Sequence, residues 1–174
     1  EPALRAALAV MTDCNAFVLD NCGLSNEKMA EIRADYPRTE LVWRISFGKY
    51  SAMTNQETIR AVYNVFDDTC ENLKYCWRTK YMDIGHNEYL TDLSFVSGMP
   101  NLEVMIASGS AVTELVGFEN CKKLTWLELA SCLKLKNIDS LAGCENLQYL
   151  NICYTKVTSY EALDGLPLVR FVCL

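Results

Sequence analysis

Hydrophobic positions recur along the second half of the chain at intervals of 22 or 23 residues. Each unit opens with an apolar residue or threonine, and apolar residues follow at its fourth and sixth positions. The first positions are Thr79, Leu102, Leu124, Leu147 and Val169, the fourth are Met82, Met105, Leu127, Leu150 and Val172, and the sixth are Ile84, Ala107, Leu129, Ile152 and Leu174. Alternation of this kind places every second side chain on one face of a strand. The pattern therefore predicts one short strand in each unit, with its fourth and sixth side chains facing a common core.

The rest of each unit also repeats. The ninth position holds a small side chain that can hydrogen-bond the backbone of a neighbouring unit: Asn87, Ser110, Cys132 and Thr155. Apolar columns follow, the last of which is Met99, Cys121, Cys144 and Leu166, and the residues just before this column are Gly98, Asn120, Gly143 and Gly165. Glycine and asparagine accept a left-handed backbone, so we expect the chain to turn a corner there after a short helical turn.

The segment Thr79–Leu90 reads L-x-x-L-x-L-x-x-N-x-x-L with threonine in place of the first leucine, and it resembles the leucine-rich-repeat family. Residues 85–93 (Gly-His-Asn-Glu-Tyr-Leu-Thr-Asp-Leu) are similar to short bacterial repeats of that family, many of them secreted or surface-attached. The resemblance implies an α/β right-handed solenoid with a parallel concave β-sheet and short helical or irregular convex segments. Ala107 departs from the family pattern as a small residue in a column of large ones.

The start of the chain is less regular than the rest. We interpret residues 1–66 as an N-terminal capping region of longer, irregular repeats, and residues 67–174 as the regular repeats of one continuous solenoid. Such caps cover the open end of a solenoid core and its unpaired strand edge. At the other end, Leu174 falls on an inward strand position. Either more residues follow it in the full protein, or the C-terminal edge is exposed.

Four elements are expected within the capping region. Residues Phe17–Leu24 read as one further repeat unit, and a helix over Asn26–Asp35 and a strand over Leu41–Phe47 follow it. The residues Thr54–Glu57 match a capping box, which predicts a helix that runs to about Val65.

The family resemblance places the non-consensus strand residues on the solvent face of the concave sheet. The third-position column is Tyr81, Val104, Trp126, Tyr149 and Phe171, the fifth includes Asp83, Ile106, Glu128 and Asn151, and Tyr154 lies just beyond its strand. These ten residues are the candidate ligand-binding residues. Strands lie about 4.8 Å apart, so the aromatic strip spans roughly 20 Å. Exposed aromatics at this density favour recognition of a ligand, whereas the alternative is that neighbouring rings, the cap or a further segment cover them.

Charge argues against nucleic-acid binding, and hydropathy argues against a membrane span. The chain has 16 basic and 22 acidic residues, a net charge of -6, and no lysine or arginine cluster. Nucleic acid is therefore not an expected partner, because binding phosphate needs local positive charge. No segment approaches the ~20 apolar residues of a membrane span. Since the sequence begins with Glu1-Pro2 and not with methionine, we expect a mature or shortened form from which any targeting segment has been removed.

The nine cysteines lack metal-ligand spacing, since there is no C-x-x-C and only one histidine. Cys76, Cys121 and Cys144 share an inward column and are expected to be core thiols, although Cys121 and Cys144 are close enough to be bridged. The cysteine content fits a reducing compartment, whereas the family resemblance implies a secreted or cell-surface protein. The sequence predicts no metal and no cofactor.

Catalysis has little support in the sequence, because no motif places a nucleophile beside His86. The sequence therefore favours a non-catalytic module that binds a protein, peptide or glycan on its concave face. The alternative function is a structural spacer or assembly domain that self-associates through the C-terminal edge, from Val169 to Leu174.

Overall fold

Short strands alternate with helical turns along the chain in the computed structural model, which describes residues 1–173. The helices are α1 (Pro2–Val10), α2 (Asn26–Asp35) and α3 (Asp67–Cys70). The strands are β1 (Ala16–Leu19), β2 (Glu40–Phe47), β3 (Tyr50–Met53), β4 (Thr58–Arg60), β5 (Tyr81–Asp83), β6 (Val104–Ile106), β7 (Trp126–Glu128), β8 (Tyr149–Asn151) and β9 (Arg170–Val172). The 3-10 turns are Glu71–Tyr75, Ser94–Gly98, Phe118–Asn120, Asp139–Gly143 and Glu161–Leu163.

The repeats form one parallel sheet. Within residues 1–173 its strand order is β4-β5-β6-β7-β8-β9, which follows the order of the chain. Met82, Met105, Leu127 and Leu150 are paired in register on neighbouring strands, as the repeat columns predicted. The sixth-position residues of the units before the last, from Ile84 to Ile152, are fully buried beside them. An α/β solenoid with a parallel sheet and short helical turns is therefore confirmed, and the repeat columns form its core.

After each of the strands β4 to β8, the chain passes through a left-handed residue at the eighth position of the unit. These residues, with φ between 57° and 75°, are Tyr63, His86, Gly109, Ser131 and Tyr154. The left-handed corner predicted further along is wrong for Gly98, Asn120 and Gly143, and only Gly165 has a positive φ, of 75°. Gly98 is needed for a different reason, because a Cβ there would lie 2.1 Å from the carbonyl oxygen of Lys74 in the preceding unit. The 3-10 turns of neighbouring units pack too closely for a side chain at that point.

The first part of the chain adds a second, smaller sheet. Strand β2 pairs in parallel with β1 and antiparallel with β3. The predicted helix Asn26–Asp35 is confirmed, and the hydroxyl of Ser25 caps it by accepting a hydrogen bond from the backbone N–H of Lys28 at 3.2 Å. The predicted strand Leu41–Phe47 is confirmed as part of β2, where Trp43 is buried.

The helix predicted from Thr54 to Val65 is wrong. The hydroxyl of Thr54 is buried and accepts a hydrogen bond from the backbone N–H of Trp43 at 3.2 Å, so it does not cap a helix. Four residues later β4 begins, and Ile59 pairs in register with Met82, which lies 23 residues further along the chain. A strand of the repeat sheet thus lies inside the region interpreted as the cap, and the division at residue 66 stays a prediction.

The last unit is shifted by one residue relative to the predicted columns. Phe171 pairs with Leu150, and Arg170 pairs with Tyr149, so Phe171 does not belong to the third-position column. The shift arises in the loop around Pro167, which is one residue shorter than the loops of the preceding units. Leu174, predicted to be an inward residue, lies outside the described residues.

Candidate binding surface on the concave sheet

Three neighbouring strands present partly exposed apolar side chains on the solvent face of the repeat sheet. Tyr81, Val104 and Trp126 are paired side by side at the third position, and Trp126 is 38% exposed. Ile106 lies two residues after Val104 on the same strand and is also partly exposed. The alternation of a strand explains the placement, because the residues between them face the core. The sequence-predicted side chains of these strands are therefore brought together on one face.

Tyr149 is covered by its neighbours. The rings of Trp126 and Tyr149 are stacked, with their centroids 3.6 Å apart and an angle of 11° between the planes. On the other side of Tyr149, the guanidinium of Arg170 lies 5.7 Å from the ring centroid. Only 9% of Tyr149 remains exposed. Mutual covering, the alternative raised from the sequence, therefore holds for Tyr149 but not for Trp126.

The polar residues of the fifth-position column are held by their own strands. Asp83 accepts a hydrogen bond from the backbone N–H of Gly85 at 3.1 Å, and Asn151 accepts one from the backbone N–H of Cys153 at the same distance. The second carboxylate, Glu128, accepts a hydrogen bond from the indole N–H of Trp126 at 3.1 Å. Asp83 and Glu128 are two strands apart, roughly 10 Å, with Ile106 between them. These bonds orient the carboxylates and leave one oxygen of each without a partner among residues 1–173.

Two basic residues flank this surface, and the sequence analysis did not include them. Arg60 on β4 places its guanidinium 5.1 Å from the ring centroid of Tyr81, and Arg170 covers Tyr149 at the other end. The signal for Arg60 was available, because it precedes Asp83 by 23 residues in the same column. The face therefore has an apolar and acidic centre between two cationic ends.

Two of the predicted site residues do not join this surface. Phe171 lies in the inward column of the last strand and makes an edge contact with the ring of Tyr160 at 5.8 Å. Tyr154 is 62% exposed, and its left-handed backbone places it in the loop after β8. The concave surface defined by the structure therefore consists of Tyr81, Asp83, Val104, Ile106, Trp126, Glu128 and Asn151, with Tyr149 beneath Arg170.

Solved structures with the same architecture are similar to this chain over most of its length. Internalin F of Listeria monocytogenes is 16% identical, with a TM-score of 0.53, and the match covers 68% of this chain and 42% of that one. The chain has the leucine-rich-repeat fold. A leucine-rich-repeat protein of Leptospira interrogans is 12% identical with a TM-score of 0.47, and the match covers 94% of this chain and 44% of that one. The chain thus spans less than half the length of either of these two structures.

Comparison of the sequence with known families and proteins adds nothing to the fold found from the structure. No protein-family model matches the sequence, and no curated protein matches it significantly. The similarity to internalin F, with a TM-score of 0.53 at 16% identity, shows the fold and does not transfer a ligand.

The leucine-rich-repeat solenoid also has a groove beyond the ends of its strands. This loop groove, a cavity of about 630 Å³, has a floor of small residues that includes Ser108, Gly109 and Ala130. Beside it, the rings of Tyr63 and His86 stack with centroids 5.5 Å apart. His86 therefore contacts an aromatic ring. The sequence predicted no role for the loop groove, because the residues of its floor are ordinary loop residues.

The cysteines of the solenoid are free thiols, most of them buried. Burial raises the pKa of Cys76, Cys121 and Cys144 to about 12, since desolvation disfavours the thiolate. The thiols of Cys121 and Cys144 donate to the carbonyl oxygens of Val96 and Phe118, at 3.6 Å and 3.2 Å, so the bridge considered from the sequence is not formed. Among residues 1–173, no group of three or more histidine, cysteine, aspartate or glutamate side chains could hold a metal ion.

Helix length bears on membrane insertion. In the part of the chain that the structure describes, no helix is long and apolar enough to cross a membrane.

Proposed function

We propose that this domain is a non-catalytic recognition module that binds a protein, peptide or glycan on its concave face. One observation carries the proposal: Tyr81, Val104 and Trp126 lie side by side and partly exposed on adjacent strands. Partly exposed aromatic side chains bury a large area on binding at a low entropic cost, and they are enriched among the residues that dominate binding energy. A contiguous apolar strip on a soluble domain is typical of an interaction site.

The carboxylates favour a ligand that carries hydrogen-bond donors. Asp83 and Glu128 each use one oxygen within the protein and keep the other for a ligand. With Arg60 and Arg170 at the two ends, the central negative charge favours a partner that is neutral or basic at its centre. A peptide segment with one basic side chain, or a glycan with hydroxyl donors, satisfies this pattern.

The test compares Trp126→Ala with Tyr89→Ala as baits for peptide and glycan arrays. Trp126 is 38% exposed in the concave face, whereas Tyr89 is 74% exposed in a loop outside it, so both changes remove one exposed aromatic ring. We expect Trp126→Ala to lose the array ligands that the wild type retains, while Tyr89→Ala keeps them. Loss of the stack on Tyr149 costs about 1 kcal/mol, so the variant should stay folded by circular dichroism. Equal binding by all three proteins would contradict the proposal.

Support for a non-catalytic role comes from the candidate nucleophiles and the histidine. His86 stacks on Tyr63, and the buried thiols of Cys76 and Cys144 have a raised pKa that keeps them protonated at neutral pH. A protonated thiol is a poor nucleophile and a poor metal ligand. For localisation we propose a secreted or cell-surface protein, supported by the resemblance of the repeats to exported bacterial ones. The buried thiols are inert and compatible with an oxidising exterior, whereas the exposed Cys22 and Cys173 are the thiols that such an exterior would oxidise.

A second candidate function is self-association through the last described unit. Val169 is 82% exposed, and Tyr160 and Phe171 are 41% and 43% exposed beside it. Strand β9 is also the last strand of the described sheet, so its outer edge can accept a further strand. Light scattering over a concentration series tests this function, with Val169→Lys as the variant. A mass that rises with concentration in the wild type and not in the variant is expected, and a monomer at every concentration would remove this candidate.

A further inference from the structure

Three arginines line one cavity at the junction of the N-terminal region and the first repeats. The cavity has a volume of about 440 Å³, within the range of small-ligand sites. Arg33 comes from the last turn of α2, Arg38 from the loop before β2, and Arg78 from the loop before β5. Distant parts of the sequence are thus folded into one arginine pocket, and the pocket is separate from the concave surface.

Arg33 is a partly buried charge without a counter-ion. Its guanidinium makes cation–π contacts with two indole rings, 5.0 Å from the centroid of Trp43 and 5.8 Å from that of Trp77. Desolvation by burial lowers its pKa, and no carboxylate of residues 1–173 pairs with it. These cation–π contacts offset part of the cost of burial, but they supply no oxygen acceptor for the guanidinium N–H groups.

The hydrogen-bond donors of the pocket exceed its acceptors. A guanidinium has five N–H donors, and Arg33 donates within residues 1–173 only to the carbonyl oxygen of Tyr75, at 3.4 Å. Trp77 also lines the pocket, and its indole Nε1 is buried with no acceptor among the described residues. Buried donors without acceptors are rare in native structures, so the unused N–H groups of Arg33 are available to a group bound in this cavity.

Charge in the pocket is strongly positive compared with the rest of the chain. Glu40 is the single carboxylate among the lining residues of the described chain, and it is occupied by Arg78 at 3.3 Å and by the amide of Asn55 at 3.2 Å. Asp35, nearby at the end of α2, is paired with Arg5 at 2.7 Å. Arg33 and Arg38 therefore contribute two uncompensated positive charges in a protein whose net charge is -6.

We infer that the arginine pocket binds an oxyanion, the phosphate or sulfate group of a small ligand. Two uncompensated charges match a doubly charged group, and the planar N–H edge of arginine fits two oxygens of such a group at once. Thr39 and Asn15 line the same cavity and supply neutral donors for the remaining oxygens. This inference is independent of ligand binding on the concave face.

The test titrates the protein with inorganic phosphate and with sulfate by calorimetry, at an ionic strength held constant with sodium chloride. Arg38→Met is the principal variant, because Arg38 is exposed and unpaired among residues 1–173, so its loss should not unfold the domain. Arg44→Met is the matched control, since Arg44 is also exposed but is paired with Asp20 outside the pocket. Arg33→Lys keeps the positive charge and removes the planar edge.

Saturable binding of phosphate or sulfate is expected for the wild type and for Arg44→Met. Arg38→Met and Arg33→Lys should each bind about 10-fold more weakly or worse, which is the effect of one lost charge-assisted hydrogen bond. Absence of saturable binding in the wild type would overturn the inference, and so would equal weakening by Arg44→Met. Binding of acetate as tight as that of phosphate would overturn the assignment to a doubly charged oxyanion.

Discussion

Replacement of Asn87 by alanine should destabilise the domain more than any other substitution in the ninth-position column. The side chain is 2% exposed and connects two units. Its Nδ2 donates to the carbonyl oxygens of Ala61 and Ile84, at 2.9 Å and 2.7 Å, and its Oδ1 accepts from the backbone N–H of Val65 at 2.9 Å. Alanine removes these three hydrogen bonds, together with a longer one from Nδ2 to the carbonyl oxygen of Gly85 at 3.4 Å, and leaves the backbone groups without a partner in the interior.

The expected cost follows from those groups. A buried donor or acceptor left unpaired costs about 1–3 kcal/mol, so the loss of three close partners costs roughly 3–9 kcal/mol. That is a large part of the 5–15 kcal/mol by which a domain is typically stable. The matched control is Thr155→Ala in the same column. Thr155 is partly exposed and its hydroxyl donates only to Ile152 of its own unit, at 2.9 Å, so its loss should cost about 1 kcal/mol.

Urea unfolding followed by circular dichroism measures both costs. With an unfolding slope of about 2 kcal/mol/M, Asn87→Ala should lower the midpoint by about 1.5–4.5 M and Thr155→Ala by about 0.5 M. The slopes should stay equal, because neither change alters the surface exposed on unfolding. A free energy of unfolding for Asn87→Ala within 1 kcal/mol of the wild type would refute the reasoning. Equal costs for the two variants would refute it too, because Asn87 bonds to the preceding unit and Thr155 bonds only within its own.

Three further outcomes follow from the packing of neighbouring units. Gly98→Ala should lower the free energy of unfolding in urea by about 3 kcal/mol, because its Cβ would lie 2.1 Å from a backbone oxygen. The control Gly85→Ala, whose Cβ would lie 3.4 Å from its nearest atom, should lower it by less than about 1 kcal/mol. Equal costs would contradict the close approach at Gly98. In thiol labelling of the folded protein, the exposed Cys22 and Cys173 should react first and the buried thiols only after unfolding; mass spectrometry that finds early label on Cys121 would contradict this order. The raised thiol pKa values should make the free energy of unfolding fall by about 1.4 kcal/mol per pH unit for each buried thiol between pH 9 and about pH 12. The cause is that unfolded thiols ionise above pH 9.0 while the buried ones stay protonated. Cys121→Ala should reduce this pH slope, and an unchanged slope would contradict the linkage.

The fold was predictable because each unit restates the same pattern. A chance apolar residue in one unit carries little information, but Met82, Met105, Leu127 and Leu150 report the same inward position independently. Burial of that column then follows from the strand alternation alone. The repeat pattern also extends one unit earlier, to Ile59. A capping-box sequence there favours a helix, but the segment forms strand β4, which pairs with β5. Tertiary pairing outweighs a local capping signal, because a cap contributes about 1 kcal/mol and a buried strand contributes more.

The glycines that end two of the helical turns show how a correct residue can be given a wrong reason. Gly98 and Gly143 suggest a left-handed corner when only the sequence is considered. In the structure their backbone is not left-handed, and a Cβ at Gly143 would lie 2.6 Å from the Cα of Glu119 in the preceding unit. The distance between neighbouring units is a property of their stacking, and no single unit encodes it.

The candidate sites were less predictable than the fold for the same reason. Trp126 and Tyr149 occupy the same column position, yet one is 38% exposed and the other 9%. The difference arises from the next unit, where a loop shortened around Pro167 brings Arg170 over the ring of Tyr149 and moves Phe171 into the inward column. The exposure of a side chain therefore depends on the side chains of the two neighbouring strands. A one-residue change in one loop shifts every residue of the following strand to a different column. A repeat pattern averages over such differences, which is why it predicts the sheet and does not by itself identify the residues that a ligand can reach.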